Sequence, residues 1–465
     1  MRTLLQSAIK NPIEMDTEFR SDRPAKALLV LSLSYLLFGL LLGVIGGFQY
    51  LLPDFLKESL SFQRSRPLHV YLVLSWIFTA AQGGLYYYIP RVAGRKLAWT
   101  AGAWAHFILQ LIISVLIVTQ FFMGQFGGRE YLEFPPIYGL FVLLSWVPLV
   151  INFFATLKPR YREAPVYIWS WTTGLLFFYI TYTESYLWLI DYFNGNIVRD
   201  TTVQWKALGS MVGSWNMLVY GTAMYIMEKI SGDTKPNRSV QAFFFYFLGM
   251  TNLMFNWGHH TYIVPAAPWV KTVSFVISMT ELLILGNIIW QWRKTIQEAQ
   301  RNYHHLAYRL LSYADFWIFL NLLLAIVISI PSVNYYTHGT HFTVAHAMGA
   351  TIGINTMLLL ASVFYIAKIG DRTPHNNREK WAGALLLIFN IALVLFWISL
   401  LGAGFQKISD RINKVLFAEM MSRSAPYFKL FTYTGVFIFI ALLGVLLLAI
   451  RSLCKSPKAD QFSQR

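Results

Sequence analysis

Long apolar stretches separated by short polar runs form the main pattern along this chain. Each stretch has about 20 residues, the length that a helix needs to cross the hydrocarbon core of a bilayer. Barrel strands would be shorter and would alternate between apolar and polar positions. The pattern predicts about twelve spans, at roughly 26–50, 68–90, 98–123, 137–157, 166–192, 206–228, 240–263, 269–292, 311–331, 341–366, 381–404 and 428–451. We therefore expect an all-α, polytopic membrane bundle.

Composition supports a membrane protein rather than a soluble one. Hydrophobic residues make up 56% of the 465 residues and charged residues only 13%, and the mean hydropathy is +0.48. Soluble domains carry about 25% charged residues. No internal repeat, linker or low-complexity segment is visible, so residues 1–465 are predicted to form one transmembrane domain. The first apolar run lacks a small-residue cleavage site and is interpreted as a retained helix.

The net charge of +16 is interpreted as an excess of basic residues in cytoplasmic loops rather than as a nucleic-acid surface. Four loops predicted on one side contain basic clusters: Arg91, Arg95 and Lys96; Lys158, Arg160 and Arg162; Arg293, Lys294, Arg301 and Arg309; Lys368, Arg372, Arg378 and Lys380. Two loops of the other side, 264–268 and 332–340, have no Lys or Arg, although the loop at 405–427 has four. This balance predicts that both termini are cytoplasmic.

Four histidines are predicted at one depth, in the outer third of the membrane. His69 begins the second span, His346 lies early in the tenth, and His259 and His260 lie near the end of the seventh. Ionisable groups inside a membrane are costly and usually functional. One such histidine could be a core residue bonded to a neighbour, as His106 is interpreted, but four at one level indicate a shared site.

Imidazole binds heme iron, copper and non-heme iron well. The single cysteine, Cys454, allows neither a disulfide nor a thiolate cluster. Adjacent histidines such as His259 and His260 point about 100° apart on a helix, so they can reach one ion only where the helix is irregular. His346 and Met348 point to opposite sides of their helix, so one helix could ligate two hemes.

Several segments resemble the large subunit of nitric oxide reductase, within the heme-copper oxidase superfamily. The sharpest is 334–340, NYYTHGT, followed by Thr343 and by Ala345 and His346. The others are 128–133, GREYLE, and 258–260, GHH, with Arg66 three residues before His69. The resemblance covers nearly the whole chain and implies the subunit I fold. The short N-terminus resembles that of members that take electrons from a membrane-anchored cytochrome c subunit.

The resemblance implies two hemes b and a non-heme metal, normally iron. His69 would be an axial ligand of the low-spin heme and His346 the proximal ligand of the high-spin heme. His259 and His260 would be two ligands of the non-heme metal. Glu281 matches a glutamate that assists proton delivery.

Further implied roles concern the heme propionates. Glu130 resembles a glutamate that helps to hold a calcium ion bridging them, a role that suits an oxygen ligand. Arg66 and His338 would contact the propionates directly.

Two positions depart from the family pattern. The tenth span carries His346 and Met348 where the family has two histidines, so Met348 is either a heme ligand that raises the reduction potential or a packing residue. The sixth span contains no histidine, and the expected ligand depth falls at 208–210, with Gly213 where a glutamate is expected and Asn216 as a possible substitute. The non-heme site is therefore expected to be short of ligands.

The function expected is reduction of nitric oxide to nitrous oxide in the bacterial cytoplasmic membrane. The segment 253–257 lacks the redox tyrosine of oxygen-reducing members, which argues against an oxidase. Glu184 and Asp191 are interpreted mainly as structural carboxylates. The alternatives are a heme-binding electron carrier or gas sensor with an incomplete metal site, and a transporter without a cofactor.

Overall fold

The computed structural model describes residues 19–158, 161–280, 303–371 and 377–455, and in this part of the chain the secondary structure is helical apart from isolated bridges. We number the main helices in chain order: α1 Asp22–Leu51, α2 Phe62–Ala93, α3 Thr100–Phe122, α4 Pro136–Leu157, α5 Val166–Glu184, α6 Ile197–Ser231, α7 Val240–Phe255, α8 268–280, α9 His305–Ser329, α10 His341–Ile366, α11 Asn377–Ile412 and α12 Phe417–Cys454. Two of them are interrupted, α4 at Trp146 and α10 by a π-helical stretch at Gly349–Thr356.

Eight helices of the described part are long and apolar enough to cross a membrane: α1 to α4 and α9 to α12. The protein is therefore a multi-pass membrane protein. The predicted number of about twelve spans is not confirmed. The four remaining predictions fall on α5 to α8, and the predicted span at 269–292 runs past residue 280 into the part that lies outside the described residues.

Local sequence explains where the central helices begin and end. The Asn196 side chain caps α6 by accepting a hydrogen bond from the backbone N–H of Arg199 at 3.0 Å, and Gly232, with φ of 71°, ends the helix. Ser239 caps α7 in the same way through the N–H of Ala242 at 3.1 Å. These caps fix the turn that places α7 beside α6.

The bundle is built from antiparallel neighbours. Helix α1 packs along α2, α5 along α6, and α11 along α12, while α12 also packs against α1. Helix α9 lies against the second half of α10. His69 and His346, in the second turns of α2 and α10, are half-buried in this arrangement, and the segment that follows α7 packs against α6.

Candidate functional site

His69, in the second turn of α2, has a hydrogen bond that fixes its tautomer. Its Nδ1 lies 2.7 Å from the carbonyl oxygen of Gly39 on α1. A carbonyl only accepts, so Nδ1 carries the proton and Nε2 keeps a free lone pair. Gly43 on the same helix makes room for the ring, since a Cβ there would lie 3.0 Å from Cε1. His69 thus fits an axial ligand of a heme, oriented by a backbone carbonyl as metal-bound imidazoles usually are.

His346, in the second turn of α10, is held where α10 crosses α9. At Gly349 an added Cβ would lie 2.3 Å from Asn321 Oδ1, and at Gly353 it would lie 2.5 Å from the Trp317 ring. The close crossing therefore requires glycine at both positions. Nδ1 of His346 is buried without a partner at hydrogen-bond distance among the described residues, with the Asn321 backbone nearby. A half-buried imidazole whose Nδ1 has no hydrogen-bond partner among the described residues fits a heme ligand.

His259 and His260 lie in a 3₁₀-helical segment, Asn256–Thr261, that follows α7. Their ring centroids are 4.2 Å apart with planes tilted by 44°. His259 is within electrostatic range of His260, His338 and His346. These four histidines therefore influence one another electrostatically, whereas the His69 ring lies against Gly39 and Gly43 of α1.

Asn256 orients His259 and was missed by sequence reasoning. Its Oδ1 lies 3.0 Å from His259 Nδ1 and also accepts a hydrogen bond from Ser278 on α8. Ser274 donates to the Asn256 carbonyl at 2.8 Å. The proton of His259 is thus placed on Nδ1. Nε2 keeps a lone pair that can accept a proton or a hydrogen bond. The three-residue spacing between Asn256 and His259 was the available signal.

Helix α6 presents an indole to the histidine pair. The ring of Trp205 stacks on His260 with centroids 4.8 Å apart and planes within 7°. Trp205 and Leu208 share a face of α6 because they are three residues apart. Sequence reasoning had placed the expected ligand depth at 208–210 and named Asn216 as a possible substitute, and it did not consider Trp205.

The donor set does not complete a non-heme metal site. A site of this kind needs at least three protein ligands, and no group of three or more His, Cys, Asp or Glu residues is arranged to hold a metal within the described ranges. Asn216 keeps a buried Oδ1 without a partner there. The described residues supply two imidazoles and an aromatic ring, which do not fit the metal that the family resemblance implies.

Gly213 controls how closely α6 approaches α7, the helix that leads into the histidine segment, so Gly213→Ala is expected to destabilise the protein. An added Cβ would lie 2.7 Å from Leu253 Cα, a backbone atom that cannot move aside. Overpacking of this kind costs about 1–3 kcal/mol. Thermal unfolding in detergent should show a lower midpoint for Gly213→Ala. Gly435→Ala, whose Cβ would meet only a ring carbon at 3.8 Å, is the matched control; equal midpoints would contradict the prediction.

The Arg66 side chain on α2 forms ion pairs with a tight turn between α3 and α4. The N–H groups of Gly127 and Gly128 both donate to the Glu133 carbonyl at 3.1 Å, and a Cβ at Gly128 would lie 1.8 Å from the Leu132 carbonyl oxygen. This turn presents two carboxylates to Arg66, Glu130 at 2.7 Å and Glu133 at 2.6 Å.

Sequence reasoning had assigned roles to Arg66 and Glu130 but missed Glu133. Burial raises the pKa of Glu133, against the opposing effect of Arg66. Glu130 is more exposed, and its paired oxygen is already engaged by Arg66. The propionate and calcium roles of Arg66 and Glu130 therefore stay predictions.

Four other predicted positions have distinct environments. His338 lies between a short helix and α10, and burial together with the nearby Arg411 guanidinium lowers its pKa. Met348 is half-buried and packs against the apolar core. Glu184 pairs with Lys206 across α5 and α6. Glu281 lies outside the described residues.

Comparison with known proteins defines the class. The family profile of cytochrome c and quinol oxidase polypeptide I matches residues 23–437. The chain therefore belongs to this family, the heme-copper oxidase family, and the predicted resemblance is confirmed.

Two relatives and one solved structure are similar to this chain over most of its length. A nitric oxide reductase subunit of Stutzerimonas stutzeri is 24% identical over 91% of this chain and 94% of the relative. Cytochrome c oxidase subunit 1 of Rhodobacter capsulatus is 22% identical over 78% and 69%. A heme-copper terminal oxidase dimer solved by cryo-EM superposes with a TM-score of 0.73 at 13% identity, covering 95% of this chain and 85% of the other. That structure supports the fold.

Proposed function

We propose that this protein is the heme-bearing subunit of a membrane enzyme that reduces nitric oxide to nitrous oxide. The observation that carries the proposal is the pair of imidazoles at His259 and His260, whose ring centroids are 4.2 Å apart and which lie within the electrostatic influence of His346. A heme held by His346 would have imidazole groups nearby, and nitric oxide is a small ligand that heme iron binds. The similarity to the nitric oxide reductase of Stutzerimonas stutzeri over nine-tenths of the chain agrees with this substrate.

The two hemes would be of the b type. His346 would hold the high-spin heme and His69 the low-spin one, with Met348 as a candidate second ligand of the latter. When bound, the hemes would relay electrons from the donor and would supply the iron that binds the gas. Arg66 and His338 are the cationic and donor groups proposed for the propionates, and calcium at Glu130 belongs to the same proposal.

The chain's own residues would handle the protons and the shape of the pocket. Reduction of two nitric oxide molecules takes up two electrons and two protons and releases nitrous oxide and water. His259, whose Nδ1 proton is held by Asn256, presents Nε2 as a site for proton transfer or hydrogen bonding. Trp205 fixes the plane of His260 by stacking and covers one face of its ring. Glu281 is the proposed proton donor.

The proposed setting is the bacterial cytoplasmic membrane, with both termini in the cytoplasm. The basic loops support this orientation. Electrons would come from a membrane-anchored cytochrome c subunit, the partner that the family resemblance implies.

The second candidate is a heme-binding electron carrier or gas sensor. The two-imidazole donor set beside Trp205 favours it, because the described residues leave the non-heme metal without a third ligand.

One set of measurements on the purified protein separates the two candidates. Heme content by reduced-minus-oxidised spectroscopy, total iron and consumption of nitric oxide are measured on the same sample. Two hemes with nitrous oxide production support the reductase. Two hemes without turnover and without additional iron support the carrier or sensor, and a protein without heme contradicts both.

A further inference from the structure

The loop between α11 and α12 is basic although it is predicted on the outer side of the membrane. Residues 405–427 contain four basic residues and two acidic ones, which gives a net charge of +2. The loops at 264–268 and 332–340, predicted on the same side, contain no Lys or Arg. Basic residues are disfavoured in short loops on the outer side, so membrane orientation does not explain this cluster.

Both helices continue beyond their apolar spans into this loop. The predicted spans end at 404 and resume at 428, whereas α11 ends at Ile412 and α12 begins at Phe417. Residues 405–412 and 417–427 are therefore helical segments, about 12 and 16 Å long, that extend past the spans. The headgroup layer adds only about 5–8 Å on each side of the hydrocarbon core. Residues 405–427, which we call the α11–α12 tip, thus project beyond the lipid.

An ion pair fixes the two helices of the tip against each other. Asp410 on α11 is completely buried, and its Oδ1 accepts hydrogen bonds from Gln406 and from Arg423 of α12, both at 3.1 Å. Arg423 also pairs with Glu419. Both carboxylates of the tip are therefore engaged by Arg423.

The remaining cations of the tip are Lys407, Arg411 and Lys414, and none of them forms an ion pair within the described ranges. Lys407 donates to the Gly339 carbonyl at 2.9 Å, which leaves its positive charge uncompensated. Arg411 and Lys414 are exposed. Arg411 also lies within electrostatic range of His338. These cations therefore border the loop that precedes α10.

Exposed apolar side chains lie beside these cations. Ile412, Leu416 and Phe417 have exposed fractions of 62%, 77% and 72%. They lie at the turn, the part of the tip farthest from the apolar spans, where lipid chains do not reach. An apolar centre with a polar rim is typical of a protein docking surface.

The base of the tip packs against the start of α10. A Cβ at Gly404 would lie 2.6 Å from the Phe342 ring, and the ring centroids of Phe342 and Phe405 are 4.7 Å apart. His346, the proposed heme ligand, follows Phe342 by about one turn of α10. A protein bound to the tip would therefore lie at the end of the helix that carries this ligand.

We propose that the α11–α12 tip docks an acidic protein domain that donates electrons to the hemes. The proposal rests on the proposed function, because the hemes are the electron acceptors, and it adds the place and the charge of the donor's docking face. Each encounter transfers one electron, so the donor is oxidised by one electron and one ferric heme is reduced to the ferrous state. The cations steer a negatively charged face to the tip, and the apolar centre provides contact area after docking.

Two soluble cytochromes c of opposite net charge and similar reduction potential test the sign of the docking face. The purified protein is placed in nanodiscs of zwitterionic lipid, and reduction of its hemes by each ferrous cytochrome is followed by stopped-flow absorbance. The rate with the acidic cytochrome should fall at least about tenfold between about 0.01 and 0.1 M ionic strength, over which the screening length decreases from ~30 to ~10 Å. A basic cytochrome that reacts faster than the acidic one at low ionic strength would overturn the proposal.

Charge reversal assigns the effect to the tip. Arg411→Glu combined with Lys414→Glu should slow reduction by the acidic cytochrome at least about tenfold at low ionic strength, with an unchanged heme spectrum. Lys96→Glu combined with Arg162→Glu is the control with the same change in charge, at exposed positions of two loops predicted on the opposite side. The control should alter the rate less than about twofold. A tip variant that is slowed no more than the control would contradict docking at the tip.

A binding measurement that needs no heme distinguishes this proposal from the proposed function. A fluorescent poly-glutamate peptide is titrated onto the same nanodiscs and followed by anisotropy. It should bind the tip variant at least about fivefold more weakly than the control variant, and equal affinities would remove the docking surface. Weaker binding to the tip variant in a protein without heme would support the surface and contradict the proposed function alone.

A label at the turn tests lipid as the alternative occupant of the tip. Asn413 and Cys454 are both exposed, so a bimane group is attached to Asn413→Cys in a Cys454→Ser background. Its fluorescence should be quenched by aqueous iodide and not by lipids that carry a spin label on the headgroup. Quenching by the headgroup label would assign the tip to the lipid interface and would exclude it as a protein docking surface.

Discussion

Replacing His346 with alanine is expected to remove one of the two hemes and to abolish nitric oxide turnover. His346 is fixed by the close crossing of α9 and α10 at Gly349 and Gly353, and no other imidazole lies on the described part of α10 beyond His341. The reduced-minus-oxidised heme signal per protein should fall by about half. Turnover should fall by more than the 10- to 100-fold that loss of an outer-shell partner causes.

His305→Ala provides the control for this experiment. His305 also has a buried Nδ1 without a partner among the described residues, but it begins α9, several turns away from the crossing with α10 at Gly349 and Gly353. It should keep both hemes and full turnover. Two hemes retained in His346→Ala would show that His346 is not a ligand and would remove the basis of the proposed function.

Helix positions were predictable because lipid imposes a strong and simple constraint. Apolar length alone located α1 to α4 and α9 to α12, whose bounds agree with the predicted spans to within several residues, apart from extensions at the ends of α11 and α12. The same reasoning was less decisive for α5 to α8. Helix α6 carries Asp200, Lys206 and Glu228, and two of these charges are paired with other parts of the chain, Asp200 with Arg129 and Lys206 with Glu184. Such pairing depends on tertiary contacts that a hydropathy pattern does not contain.

The candidate site was predictable in its residue types but not in its contacts. Histidines in apolar helices stand out, so His69, His346 and the His259 and His260 pair could be selected from their positions. The stacking of Trp205 on His260 arises from how closely α6 meets the segment after α7. In a chain with 17% aromatic residues, one tryptophan gives no signal of its own.

Arg66 illustrates a second reason why contacts escape sequence reasoning. Its position three residues before His69 suggested a partner on the heme, whereas the structure pairs it with Glu130 and Glu133. Those carboxylates are separated from Arg66 by more than sixty residues. They reach it only because the glycines at 127 and 128 allow the turn to close.

Met348→His is expected to lower the reduction potential of the low-spin heme. If Met348 and His69 ligate this heme together, the substitution replaces a thioether by an imidazole, which stabilises the oxidised iron. The decrease should be on the order of 0.1 V, a fraction of the ~0.8 V that axial ligands span in proteins. A potentiometric titration followed at the low-spin absorbance band measures it, with the high-spin heme as an internal reference.

Met348→Leu distinguishes ligation from packing. Leucine fills a similar apolar volume, and Met348 packs against the core, so a packing residue would tolerate this change with the spectrum and potential unaltered. If Met348 is a heme ligand, the substitution removes the donor atom, because leucine has none. The low-spin spectrum should then be lost. Met357→Leu, at a fully buried position on the same helix, should leave both hemes unchanged. A low-spin spectrum that survives Met348→Leu would assign the second ligand to another residue and would make Met348 a core residue like Met357.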